Sequence, residues 1–140
     1  MSRVSPALQA AYAAANYAIR ERSGSLRLRI GGTDAALASL LARHGSDHAA
    51  LVSAFNPRSE RLSRAMNRQR HAWLLARLQA ERRRWLPARN SDPGGDFPAE
   101  AAVLIFDLDL ADARGLGRAF DQNAVVLIDA RGLARLCWLR

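Results

Sequence analysis

Apolar and polar positions along this chain change period several times, and the changes mark out elements. Residues Ser5 to Arg20 are Ala-rich and predict a helix over the first 20 residues, with Tyr12 and Tyr17 towards its end. Leu26-Arg27-Leu28-Arg29-Ile30 alternates apolar and basic side chains, the two-residue period of a strand with one buried face. Gly31-Gly32 turns the chain, and Thr33 or Asp34 caps a helix in which Leu37, Leu40 and Leu41 recur at helical spacing up to Gly45. Ala49 to Phe55 is a short apolar strand, ended by Asn56-Pro57 because a residue before proline avoids the helical region.

Ser59 or Ser63 then begins a long helix over 58–85. Trp85 to Ala88 predicts a short strand, and 90–98 is a loop dense in Gly, Pro and Asp. The last third reads as a strand over Ala101 to Leu108, a helix over Leu110 to Phe120, a strand over Ala124 to Ile128 and a hairpin partner over Leu133 to Leu139. These elements predict one domain of α/β or α+β class, a mixed β-sheet of about five strands packed by three or four helices. A length of 140 residues suits a single core.

At 100° per residue the long helix divides into three stripes. Leu62, Met66, Trp73 and Ala76 share one face, expected to be buried. Arg61, Arg64, Arg68 and His71 gather on another, the expected solvent face. Ser63, Asn67, Arg70 and Leu74 form a third, where Asn67 and Arg70 at i, i+3 reach towards one point.

Charge sharpens this picture. All 21 basic residues are Arg, the usage of a GC-rich genome, and the net charge is +8. Between Arg58 and Arg89 ten Arg face only Glu60 and Glu81, so this segment carries the whole excess and the remainder balances. Arg61, Arg64, Arg68, Arg82, Arg83 and Arg84 are therefore the candidate phosphate-binding residues if the partner is a nucleic acid. No apolar run approaches the roughly 20 residues of a membrane span, so no membrane association and a cytoplasmic location are expected. Cys137, the one cysteine, lies between Leu136 and Trp138 as a packing residue.

Familiar catalytic arrangements do not occur. His44, His48 and His71 lack ligand spacing with carboxylates, so no metal site is expected. Gly31-Gly32 and Gly115-x-Gly117 lack the further glycines and the Lys of phosphate-binding loops, so no cofactor is expected. What remains is a polar set at element boundaries: Asn56, Ser59, Asn67, Arg70, Glu100, Gln122 and Asn123. If these converge, Arg70 can bind an anion bidentately, Glu100 can act as a base or pair with Arg70, and the amides can orient a polar ligand. Read as structure instead, Asn56 and Ser59 shape a turn, and Arg70 with Glu100 ties helix to sheet.

Ordered short motifs add to this. Leu28-Arg29-Ile30-Gly31, Ser53-Ala54-Phe55-Asn56-Pro57-Arg58-Ser59, Leu62-Ser63, Asn67-x-x-Arg70, Phe97-Pro98-x-Glu100 and Phe120-x-Gln122-Asn123-Ala124 together resemble the pattern of the bacterial domain of unknown function family 3293, over about Tyr12 to Leu136. The resemblance implies a cytoplasmic bacterial domain and supplies no reaction. The chain departs from the family pattern at Phe97, where Trp is usual, and at Asp107 and Asp121, where Gly is frequent.

Three functional classes follow. The first is a small binding or regulatory module that recognises an anionic small molecule or an acidic partner group through the polar set. The second is a nucleic-acid accessory using the Arg-rich helix, and the third an enzyme with a Glu/Arg site. Nothing in the sequence selects an oligomeric state.

Overall fold

The computed structural model describes residues 4–91 and 100–139. The Phe97-Pro98 motif and positions 92–98 of the expected loop lie outside the described residues, while Asn90 and Ser91 extend the strand expected over Trp85 to Ala88 instead of opening that loop. Seven strands, β1 (Asn16–Glu21), β2 (Gly24–Arg29), β3 (Ala49–Val52), β4 (Trp85–Ser91), β5 (Glu100–Phe106), β6 (Ala124–Ile128) and β7 (Ala134–Trp138), form one sheet in the order β2-β1-β4-β5-β3-β6-β7. Every adjacent pair is antiparallel, which makes the fold α+β and corrects the expected mixed sheet of about five strands.

Among the described residues four α-helices cover the two faces: α1 (Pro6–Ala14), α2 (Ala35–Arg43), α3 (Arg64–Ala80) and α4 (Leu110–Ala119). Leu37, Leu40 and Leu41 of α2 pack with Tyr17, Ile19, Leu28, Leu51 and Leu104 on one face. On the other, Leu74 and Leu78 of α3 and Ala113 and Leu116 of α4 pack with Val52, Val103, Ile105 and Val125. β3, sandwiched between β5 and β6, is buried along its whole length. No helix among the described residues is long and apolar enough to cross a membrane.

Local chemistry sets the helix ends. Ser5, Asp34, Ser63 and Asp109 each accept a first-turn backbone N–H, from Leu8, from Ala36 and Leu37, from Met66 and from Asp112 respectively. α4 ends with the Gln122 N–H donating to the Gly117 carbonyl at 2.9 Å, a bond that requires the intervening Asp121 to turn left-handed, at φ 54°. Asp107, after β5, is left-handed too, at φ 60°. Asp107 and Asp121 thus occupy positions whose backbone favours glycine.

Further sequence expectations fail for tertiary reasons, among them the strand expected over Ala49 to Phe55, which stops at Val52. The predicted N-terminal helix stops at Ala14, and Asn16–Glu21 becomes β1, because Tyr17 and Ile19 bury on one face between β2 and β4 and this outweighs local Ala helix preference. The predicted buried face of the long helix is turned outward: Met66 is 46% and Trp73 52% exposed, and Ala76 is exposed as well. Asn67, Leu74 and Leu78 face the sheet instead, with Arg70 and His71 half-buried. Helix α3 itself is shorter than 58–85, since Pro57–Ser59 forms a separate 3-10 turn and Arg82 is left-handed.

Candidate functional site

The site begins where β3 runs out. The Ser53 hydroxyl donates to the Ala101 carbonyl at 2.9 Å and accepts the Phe55 N–H at 3.0 Å, tying the strand end to β5. Asn56, Arg58 and Ser59 then all have positive φ, a run of left-handed residues that non-glycine side chains resist. The surroundings hold it: the Arg58 N–H donates to the Asp121 carbonyl at 2.7 Å, and Asn56 sits in a net of four bonds.

Backbone groups fix the polarity of that net. Leu62 N–H donates to Asn56 Oδ1 at 2.9 Å, and Asn56 N–H donates to Asn67 Oδ1 at 2.9 Å. Neither donor can reverse its role, so Asn67 Nδ2 must donate to Asn56 Oδ1 and Asn56 Nδ2 is aimed at Glu100, reaching Oε1 at 2.6 Å. The turn therefore delivers one oriented donor to one carboxyl group.

Glu100 stands at the edge of a cavity of ≈ 190 Å³ between α1 and the sheet. Leu8, Ala11, Tyr12 and Ala15 roof it, Leu51, Val126 and Leu136 form its apolar floor, and Ser53, Asn56, Ser59, Arg61, Asn90 and Gln122 are polar groups in its wall. Strand register supplies a polar row across three strands, because Tyr17 pairs with Asn90 and Asn90 with Glu100. Directly opposed residues share a face with Cβ atoms about 5 Å apart. Asn90 Oδ1 is buried there without a hydrogen-bond partner among the described residues.

Burial governs the ionisable groups. It raises the Glu100 carboxyl above the usual carboxylate range, opposed by the Asn56 donor. The Tyr17 phenol is likewise raised, first by burial and then by Tyr12 and Glu100, so it stays protonated as a donor. Tyr12 hydroxyl and Ser59 Oγ lie 2.7 Å apart, and Asn123 Nδ2 donates to Ser59 at 3.0 Å. Gln122 Nε2 donates to the Phe55 and Phe120 carbonyls, each at 3.1 Å.

Of the seven polar candidates, Asn56, Ser59, Glu100 and Gln122 line the cavity, while Asn67 and Asn123 brace the lining residues from behind. Arg70 does not meet Glu100: its Nε donates to the Ala54 carbonyl at 2.7 Å and its Nη2 to the Phe120 carbonyl, joining the end of β3 to the end of α4. Tyr12, Tyr17, Ser53 and Asn90 are lining or facing groups outside that candidate set; the alternation Tyr17-x-Ile19 was the available signal for β1.

The basic candidates separate as well. Arg83 pairs with Glu81 and Asp112, and Arg84 with Asp107 at 2.8 Å, while Arg64 and Arg68 are exposed on α3 and Arg61 lines the cavity. Arg82 occupies the left-handed turn after α3. Among the described residues no three His, Cys, Asp or Glu side chains converge to hold a metal ion.

Neither a curated protein nor a solved structure matches the chain. A family model described as protein of unknown function, DUF3293, matches residues 52–125, a narrower span than the ordered motifs but more than half of the 140 residues. It runs from the end of β3 to the start of β6 and takes in Asn56, Ser59, Asn67, Arg70, Glu100, Gln122 and Asn123. On that match, the chain belongs to the DUF3293 family.

Proposed function

We propose that this chain is a small-molecule-binding module whose ligand occupies the cavity between α1 and the sheet. The observation that carries the reading is the convergence of an apolar floor with a few desolvated polar groups, Asn90 Oδ1 and Glu100 foremost, in one cavity. A buried acceptor without a partner costs stability, and a ligand donor removes that cost. The anion-binding role expected of Arg70 has less support, because two backbone carbonyls already use its guanidinium. A nucleic-acid role also has less support, since Arg77, Arg83 and Arg84 are committed to carboxylates.

Ala11 offers a clean test, being exposed on its own helix yet part of the roof. A fragment screen followed by amide chemical shifts is expected to find compounds that perturb Tyr17, Asn90 and Val126. Ala11→Trp is expected to retain the melting temperature and lose those perturbations. Compounds that perturb only surface amides, or that bind Ala11→Trp undiminished, overturn the reading.

A further inference from the structure

We infer that the cavity selects ligands bearing a planar group with two N–H donors on one edge, the chemistry shared by an amidinium and a 2-amino-4-oxopyrimidine. The inference rests on the cavity being a ligand site and names what that site reads. Two neighbouring acceptors carry it. Among the described residues Asn90 Oδ1 is buried without a partner, and Glu100, the next residue across the sheet, has one carboxylate oxygen occupied by Asn56 Nδ2. Its other oxygen has no hydrogen bond among the described residues.

The Asn56 bond makes the selection directional. Because backbone amides fix Asn56, its Nδ2 always takes the same side of Glu100, and the other oxygen of the ionised group is left for a donor rather than for an acceptor. At this pair of groups a ligand carboxylate or phosphate would meet a carboxylate and an amide oxygen, both repelling it, although the Arg61 guanidinium lines the same cavity. A donor pair satisfies both in one step, and a planar edge suits adjacent acceptors on neighbouring strands better than a tetrahedral one. Leu51, Val126 and the Tyr12 ring supply apolar walls for the faces of such a group.

Four probes test the selection: benzamidine (cationic, donor pair), isocytosine (neutral, donor pair), benzoate (acceptors only) and anisole (no N–H or O–H donor). Amide chemical shifts at Tyr17 and Asn90 report occupancy. One or both donor-pair probes are expected to bind, and whichever is tighter gives the charge of the preferred group.

In Glu100→Gln the Asn56 donor holds the new amide oxygen, turning the amide nitrogen towards the ligand, so donor faces donor. Affinity is expected to fall about tenfold or more. Asn90→Leu is expected to lose affinity similarly while the ligand-free protein melts higher, because a buried unpartnered acceptor has been removed. A merely structural asparagine would not combine higher stability with lost binding.

Benzoate or anisole binding as well as the donor-pair probes overturns the selectivity and leaves the cavity reading standing. No probe perturbing the cavity amides, together with a failed fragment screen, overturns both. Donor-pair binding unchanged in both variants removes Glu100 and Asn90 from the site.

Discussion

Asn56 and Asn67, eleven residues apart, exchange hydrogen bonds in both directions: the Asn56 N–H donates to Asn67 Oδ1 and Asn67 Nδ2 donates to Asn56 Oδ1, each at 2.9 Å. A left-handed turn residue is thereby clamped to the first turns of α3. Asn67→Ala leaves the Asn56 N–H without its acceptor and is expected to destabilise the fold by about 2 kcal/mol, the usual cost of an orphaned buried polar group. Arg68→Ala, one residue on and exposed, is expected to change stability by less than about 0.5 kcal/mol. Equal effects in urea titrations would show that the clamp contributes little.

Glu100 gives a pH signature. Its carboxyl is raised above 4.5 in the folded protein by burial, so its contribution is fully present below 4.5 and is lost as pH rises through the folded value. Glu100→Gln removes the ionisation and is expected to melt with the wild type at pH 4 but above it at pH 7. Thermal melts across that range check the sign. A gap that narrows with rising pH would mean the carboxylate is stabilised, not penalised, in its site.

The two left-handed aspartates should respond differently to substitution. Asp121 is at the α4 exit, where among the described residues its side chain makes only a 4.0 Å contact with Arg58, so Asp121→Gly is expected to be more stable than Asp121→Ala by about 1 kcal/mol. Asp107 accepts from Ser46 at 2.7 Å and Arg84 at 2.8 Å, and these bonds hold its carboxyl below the usual range. Asp107→Gly is therefore expected to give back in lost bonds what it gains in backbone freedom, and to show no net stabilisation. Chemical denaturation of the three variants separates the two cases.

Trp73 and Leu74 test the orientation of α3. Leu74 is fully buried and Trp73 is 52% exposed, so Leu74→Ala is expected to cost about 2–5 kcal/mol and Trp73→Ala less than about 1 kcal/mol. The reverse order in thermal melts would restore the helix face that hydrophobicity alone selects. Hydrophobicity misleads here because Asn67 and Arg70, polar as they are, find backbone and amide partners on the inner side.

By itself the sequence determined the features that act over a few residues. Of the two cap candidates that the sequence offers at each helix, Asp34 and Ser63 are the ones whose short side-chain oxygen reaches the next turn, and Gly45 ends a helix at φ 66°. The apolar runs of β3, β5 and β6 were legible for the same reason, as was the polar set at their ends. Tertiary structure decided whatever needs a distant partner: that Asn16–Glu21 pairs as a strand, that α3 turns Asn67 inward and Trp73 outward, and that Arg70 caps carbonyls instead of meeting Glu100. The row Tyr17, Asn90, Glu100 exists only through antiparallel register between β1, β4 and β5, which no local spacing encodes. Side-chain type and short spacing are written along the chain, but which face is dry and which residue stands opposite depend on how the whole sheet closes over its core.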